Sequence, residues 1–477
     1  MLQAVGRDDV TLAARPAFSL DTPPSNPPQI SISAKTSSSE LRRLPTLLAS
    51  IEMGYGHMRA ANALASALNL PIEVVDEEPL ADETERKLWA RARRLYEFVS
   101  RASQLPLVGP GFDVALGALT SIPSLYPIRD LSAPTWGVRY LASNVKKGLG
   151  RGLIERLGDK REALLTTFYA PAIAADLAGC ESIYCVVTDA DVNRIWVPPH
   201  PSRTRIHYLV PGHRTARRLQ TYGVPARQIT FTGFPLPPEL LGGRDLPVLK
   251  RNLAARLTRL DPRGIFREGY GEEVDHFLGV QPPAPSGQVP LVTFAVGGAG
   301  AQSGLPRKFL PGFRRPLEEG RLRLALVAGV RRTVAAEFER ALEEAGLAKL
   351  LGGAVRILET ADLASYFKKM NELLAETDIL WTKPSEMTFF GALGLPMVFA
   401  PPVGRHEAYN LRWAREAGAG LKQRDPRLVA ERLLDWMEDG TLAGAAWSGY
   451  MRLPKFGTYR IASALGEGGA APRTLVV

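Results

Sequence analysis

A chain of 477 residues that is 45% apolar and 23% charged is long and apolar enough to bury more than one core, and its length suggests roughly two to three domains, of which two are taken. The net charge of +10 favours an anionic partner, which leaves nucleotide diphosphate, anionic lipid and nucleic acid open. The two cysteines, Cys180 and Cys185, indicate neither a disulfide scaffold nor a zinc site, so the reducing cytoplasm is expected, and no run of about 18 uncharged apolar residues marks a spanning helix.

Residues 1–44 carry Pro and Ser clusters, including Pro23-Pro24-Ser25-Asn26-Pro27-Pro28 and Ser37-Ser38-Ser39, without the apolar core of a signal peptide. They are expected to be disordered. The first fold is placed at 45–240. It opens with a buried strand at 47–51, the turn Gly54-Tyr55-Gly56-His57 and an Ala-rich helix at 58–68. A glycine loop in that position serves either as a plain turn or as a close approach to a ligand. His57 reads either as a polar residue at a helix start or as a group with chemistry.

A strand at 72–75 and the acidic turn Asp76-Glu77-Glu78 lead into a helix at 84–103. Its apolar stripe is Leu88, Ala92, Leu95, Tyr96 and Val99; its other side carries Arg86, Lys87, Arg93, Arg94 and Arg101. That pattern fits a packed surface helix or a basic amphipathic helix on anionic headgroups. The Pro- and Gly-broken region 112–147 interleaves Trp136 and Tyr140 with Lys146 and Lys147. It fits a buried insertion or a membrane-facing entrance for an acceptor.

A strand at 163–166, a helix at 170–177 and a strand at 182–188 follow, the last ending in Thr188-Asp189-Ala190-Asp191. These carboxylates lie at a strand's C-terminal end and read either as solvated turn residues or as site groups. Pro211-Gly212-His213 opens the next helix, with His213 as a cap or surface residue. Residues 241–290 break the composition, with one basic helix at 246–260 and Gln281-Pro282-Pro283-Ala284-Pro285. They are taken as the interdomain linker.

The second fold is placed at 291–458. It repeats strand then polar end at 291–296 with Gly297-Gly298-Ala299-Gly300, at 324–328 with Gly329-Val330-Arg331, and at 354–358. The stretch 370–410 then reads as helix, strand at 378–381, turn Lys383-Pro384-Ser385-Glu386, helix at 387–393 stopped by Gly394 and Pro396, strand at 397–400 and a second polar loop. A helix starting at a strand's C-terminal end aims free N–H groups at the crevice where open parallel sheets bind ligands. An anion suits that place, with Lys383 and Arg405 adding positive charge. A helix at 428–438 follows, and residues 459–477 form a helix crossing back to the first domain and a frayed tail.

Several of these motifs occur together in one family. Trp381-Thr382-Lys383-Pro384-Ser385-Glu386, Gly394-Leu395-Pro396, Gly404-Arg405-His406-Glu407 and Asn410 resemble the donor loops of the two-domain B-fold nucleotide-sugar glycosyltransferases. The similarity is to the group of the diacylglycerol glycosyltransferases and the peptidoglycan N-acetylglucosaminyltransferase. Gly54-Tyr55-Gly56-His57, Val187-Thr188-Asp189 and Gly233-Phe234-Pro235 resemble that family's cleft-facing elements in the first domain. Three positions depart from its pattern: Gly391 stands where the family offers a Glu to the ribose, Asn193 where it has His, and Glu386 where it has Gly.

The resemblance implies an α/β chain with two Rossmann-like parallel-sheet domains facing across a cleft. It implies an inverting, metal-independent hexosyl transfer from a nucleotide-sugar, a UDP-sugar by preference, to a lipid or other small-molecule hydroxyl acceptor. No cofactor beyond the nucleotide-sugar co-substrate, no metal and no nucleic acid are expected. His57 is the expected base, with Asp189 as partner or alternative. Gly298, Gly300, Arg331, Lys383, Ser385 and Glu386 are expected on the donor, as are Met387, Thr388, Arg405, His406, Glu407 and Asn410. Gly54, Gly56 and Trp136 fall on the acceptor side. The expected location is the cytoplasm, with peripheral contact to the anionic inner face of the membrane. Two alternatives stand beside this reading: a nucleotide-sugar epimerase, and a catalytically degenerate nucleotide-sugar binder.

Overall fold

The computed structural model describes residues 45–52, 55–102, 122–158, 162–279, 288–297, 300, 302–402 and 405–466, with only the backbone described at 95–102 and at Arg405. Gly54 and Gly298 therefore lie outside the described residues, as do 1–44 and the tail beyond 466.

Short apolar runs in the first half build β1 (Thr46–Ser50), β2 (Ile72–Val74), β3 (Ala163–Thr166), β4 (Ile183–Val186), β5 (Ile206–Val210) and β6 (Ile229–Phe231). They form one six-stranded sheet in the order β2-β1-β3-β4-β5-β6. All its pairings are parallel. The second half builds β7 (Leu291–Ala295), β8 (Arg323–Gly329), β9 (Val355–Glu359), β10 (Ile379–Thr382), β11 (Met397–Phe399) and β12 (Gly420–Lys422). Its order is β12-β11-β10-β7-β8-β9, again parallel throughout. Parallel sheets carry helices on both faces, so strands such as β3, β7 and β10 are buried along their whole length and show no polar alternation. Both sheets are Rossmann-like, as expected.

The order of each sheet reverses at one point, between β1 and β3 in the first and between β7 and β10 in the second. Crevices at such reversals are where open α/β sheets take ligands. The turns leaving β1, β7 and β10 are those the sequence marks with Gly56, Gly297 and Lys383, and the turn leaving β3 carries Thr167.

Three differences from expectation concern the site or its support. The first helix spans Tyr55–Leu68, three residues longer at its start than expected, so Gly56 and His57 sit in its opening turn. The stretch 241–290 carries two helices, Pro247–Leu260 and Ile265–Leu278. Leu249, Leu253, Leu257 and Leu260 repeat on one helical face, and they share a core with Phe266, Leu278, Leu291 and Phe294 of the second domain. An apolar stripe of that kind needs a cover, and the second sheet's layer supplies it. Finally, the turn Glu386–Leu393 is a 3-10 helix, beginning one residue earlier than expected.

The last helix, Gly457–Gly466, returns to the first domain. Ile461 and Leu465 pack there with Leu48, Leu64, Leu165, Val186 and Leu209. Before it, the helix Thr441–Arg452 lies against the turn Glu386–Leu393. A methyl group on Gly449 would come within 2.3 Å of the Gly391 carbonyl oxygen, and one on Gly391 within 3.0 Å of Leu453 Cδ1 and 3.3 Å of Ala419 Cβ. Gly391 is thus a packing glycine. A glutamate there, as the resembled family has, would have no room.

Candidate active site in the interdomain cleft

The first-domain side is built around His57. Its Nδ1 lies 2.8 Å from the Thr167 carbonyl oxygen and 3.3 Å from Thr188 Oγ1. A carbonyl can only accept, so Nδ1 carries the proton and the neutral ring keeps a lone pair on Nε2. Thr167 Oγ1 donates in return to the His57 carbonyl at 3.0 Å and lies 2.9 Å from Ser50 Oγ. The ring meets Phe168 edge-on, with centroids 4.8 Å apart, and Trp196 at 6.4 Å. Burial pushes the imidazole below its ordinary range; the Asp189 carboxylate opposes this most, the Thr167 carbonyl and Glu386 less, and His406 works with burial. Asp189, Glu386 and His406 are therefore all close enough to act on its charge, two of them from the second domain.

The second-domain side is the turn after β10. Ser385 N–H donates to the Lys383 carbonyl at 2.8 Å and the Ser385 carbonyl accepts from Thr388 N–H at 3.0 Å, which closes the opening of the 3-10 turn. The amides of Glu386 and Met387 open that turn, where a helix leaves its first N–H groups without intrahelical partners. Thr388 is fully buried, and its Oγ1 has no hydrogen-bond partner. Lys383 runs over Gly297, where an added methyl would come within 2.2 Å of its Cε. Its Nζ reaches Glu407 Oε1 at 2.6 Å, with the two side chains 18% and 2% exposed. The Lys383 charge is therefore already matched. Gly300, at a φ of +67°, donates its amide to the Gly297 carbonyl at 2.7 Å.

Four contacts join the two sides. Asn410, fully buried, donates from Nδ2 to Asp189 Oδ1 at 3.2 Å and to the Pro384 carbonyl at 3.1 Å, and accepts from the Ala190 amide at 2.9 Å. Tyr55 Oη accepts from the Val330 amide at 3.2 Å. Phe234 stacks on Phe389 at 4.7 Å. Arg59, two residues beyond His57, donates from Nε to Glu386 Oε1 at 3.4 Å and from Nη2 to Tyr366 Oη at 2.9 Å. Its Nη1 is buried without a hydrogen-bond partner, a state that costs about 1–3 kcal/mol for an ordinary polar group and more for a charged one.

The cleft thus gathers His57, Asp189, Gly56, Ser385, Glu386, His406 and Asn410. Of the other expected site residues, Arg331 is exposed, and Trp136 is 54% exposed and stacks on Tyr140 of its own helix at 5.1 Å. Asp191, the second carboxylate after β4, is fully buried and held by Arg214 and Arg218 at 2.8 Å each, so it braces the helix His213–Thr221. Asn193 opens the turn Arg194–Trp196, and its Oδ1 is buried without a partner. Three basic residues of the helix Glu83–Ala102 are matched within the chain: Arg86 to Glu78 at 2.9 Å, Lys87 to Glu83 at 2.7 Å, and Arg93 to Asp76. Among the described residues no three His, Cys, Asp or Glu side chains come together as a metal site, and no helix is long and apolar enough to cross a membrane.

Sequence reasoning missed Arg59, Thr167, Phe168, Trp196 and Tyr366 as cleft residues. The one local signal for Arg59 was a charge inside the apolar run Met58-Arg59-Ala60-Ala61.

Two Rossmann-like parallel sheets whose reversal points face one another across a cleft define the glycosyltransferase B fold, and this chain has it. Its similarity to a curated protein falls in the group that the motifs resemble. The processive diacylglycerol beta-glucosyltransferase of Staphylococcus haemolyticus (strain JCSC1435) is 23% identical over 304 residues, which cover 62% of this chain and 63% of that protein. The chain thus matches less than two thirds of that relative's length. A family model described as "Domain of unknown function (DUF6938)" matches residues 351–459, which include β9 to β12. Among solved structures, MnaA of S. aureus with UDP aligns with a TM-score of 0.49 at 11% identity, covering 89% of this chain and 96% of that one. MurG of Acinetobacter baumannii aligns with a TM-score of 0.46 at 15% identity, covering 89% and 99%.

Proposed function

We propose that the protein is an inverting glycosyltransferase that moves a sugar from a nucleoside diphosphate to a hydroxyl acceptor. The observation that carries this reading is His57: a neutral imidazole with Nδ1 committed to Thr167 and Nε2 left as a base, close enough to the opening of the turn Glu386–Leu393 for Glu386 to act on its charge. The acceptor hydroxyl gives its proton to Nε2 as its oxygen attacks the anomeric carbon. The new C–O bond forms on the face opposite the bond to the diphosphate, which breaks and leaves with both its electrons. Backbone amides of Glu386 and Met387 offset the charge that grows on the departing phosphate. Asp189, held by Asn410 at 3.2 Å, stabilises the imidazolium formed in the same step.

The donor in this reading is a UDP-sugar, as the resemblance of the loops suggests, and the scheme uses no metal. A lipid acceptor is supported by the exposure of large apolar residues within one stretch of chain, Tyr126, Ile128 and Trp136 at 56%, 62% and 54%, among which Arg129 and Arg139 are exposed too. Exposed apolar and basic side chains on one segment suit peripheral contact with anionic headgroups.

Calorimetric titration of the purified protein with UDP and a panel of UDP-sugars tests the donor assignment. Heat from a UDP-sugar, followed by transfer to a diacylglycerol or other hydroxyl acceptor that His57→Ala abolishes, is the expected result. Binding without any transfer would sink the catalytic part of the proposal, and absence of heat with every nucleotide would sink the whole.

A further inference from the structure

We propose that Arg59 is an anion-binding residue of the cleft and that Glu386 is its tethered occupant, which a ligand's phosphate must displace in order to bind. The proposal deepens the transferase reading and rests on it only for the identity of the ligand. Nothing in the motifs of the first helix singles out Arg59, which lies between Met58 and Ala60 on a face that packs against the second domain.

The guanidinium is almost wholly enclosed, at 3% exposure. Rings surround it on three sides, with Tyr366, Phe367 and Phe390 centroids at 5.4, 5.3 and 5.7 Å. An arginine offers five N–H donors in a fork that matches carboxylate or phosphate oxygens. Here Nη2 is used by Tyr366, Nη1 has no partner, and Nε makes one long contact of 3.4 Å with Glu386. Charge-assisted N–H to oxygen bonds are commonly about 2.7–2.9 Å and often paired. The carboxylate therefore serves this cation poorly, and an anion with three oxygens in a tetrahedron would serve it better.

Glu386 sits where such an anion would go. It is the first residue of the turn Glu386–Leu393, whose amides and dipole favour negative charge at that end. Its carboxylate folds back over the first domain, so that a methyl group on Gly56 would lie 3.1 Å from Oε2. The same carboxylate thus meets the cation of one domain and caps the anion-attracting end of the other. A phosphate arriving there would repel it and take up the idle edge of Arg59. Because the Arg59 and Glu386 pair spans the cleft, the exchange also removes one tie between the domains, which couples anion binding to their separation.

The test is calorimetric titration of the full chain with inorganic pyrophosphate and, separately, with UDP, in wild type, Glu386→Gln, Glu386→Ala and the double variant Glu386→Gln with Arg59→Met. Removing the competing charge should tighten pyrophosphate binding by about tenfold or more, and loss of Arg59 should cancel that gain. Circular dichroism identifies any variant that fails to fold, and either single variant alone gives the readout. Pyrophosphate binding that is unchanged, weaker or undetected in the folded single variants overturns the proposal, as does a gain that survives loss of Arg59. A gain for pyrophosphate without any binding of UDP supports the anion site and counts against the nucleotide assignment. UDP binding to wild type without a gain for pyrophosphate in the variants does the reverse.

Discussion

Asn410 of the second domain holds Asp189 of the first at 3.2 Å with the same amide nitrogen that bonds the Pro384 carbonyl at 3.1 Å, while its oxygen takes the Ala190 amide at 2.9 Å. One buried side chain thus fixes the carboxylate that acts most on the imidazole's charge to the turn that carries Ser385 and Glu386. The expected role of Asn410 was to orient a donor directly. Its hydrogen bonds add a positioning role, since all three join parts of the protein.

Asn410→Ala should therefore destabilise the protein in the absence of any nucleotide. Three hydrogen bonds are lost at a fully buried position, and the Ala190 amide and Pro384 carbonyl lose a partner, so a loss of about 2–4 kcal/mol is expected from urea unfolding. A variant as stable as wild type, but weaker in nucleotide binding, would leave Asn410 with the donor role alone.

Lys383 and Glu407 form a pair at 2.6 Å with the carboxylate 2% exposed. Removing the cation alone leaves a buried charge, so Lys383→Met should cost about 3 kcal/mol, whereas the double variant Lys383→Met with Glu407→Gln should recover part of that loss. A double-mutant cycle by chemical denaturation measures the coupling. Additive single effects would show that the pair contributes nothing beyond its separate parts.

Gly391 looked like a lost ribose contact when judged by motif position. Packing gives another account, because the helix Thr441–Arg452 approaches the Gly391 backbone closely enough that a methyl on Gly449 would stand 2.3 Å from its carbonyl oxygen. Gly391→Ala should cost about 1–3 kcal/mol through overpacking, and Gly391→Glu should fail to fold. If Gly391→Glu folds and binds a UDP-sugar more tightly than wild type, the site has room for the family's residue and the packing argument is wrong.

Much of the architecture was legible because buried parallel strands leave a strong local signal. The runs that became β3, β7 and β10 are continuous and apolar, and glycine or polar turns follow them at the sheet ends where ligands bind. The helix Ile265–Leu278 was not legible: it buries Phe266, Val274 and Leu278 while exposing Ile265, Tyr270 and Phe277, which blurs its apolar stripe. Arg59 was illegible for a different reason. A charge in an Ala-rich helix normally faces water, and what reverses this, Glu386 and Tyr366, lies 327 and 307 residues away. Gly391 likewise depends on Gly449 and Leu453, neighbours that no local pattern announces.

The buried imidazole also ties stability to pH. His57 has its folded pKa pushed below the ordinary 6.5, first by burial, so as pH falls through that value the unfolded chain takes up the proton before the folded one does. The native state then loses stability from about pH 6.5 downward, and the loss levels off once pH lies below the folded value; above 6.5 the ring contributes no slope. Other groups titrate in the same range, so the informative quantity is the difference between wild type and His57→Gln in urea unfolding at about pH 7.5, 6.5 and 5.5. Wild type should lose more stability than the variant over that interval. Because the same ring must be neutral to accept the acceptor's proton, kcat/KM for transfer should fall on the acid side with its midpoint below about pH 6.5. Equal pH slopes for the two proteins would mean that His57 is not held as a neutral base, and the assignment of Nε2 would fall with it.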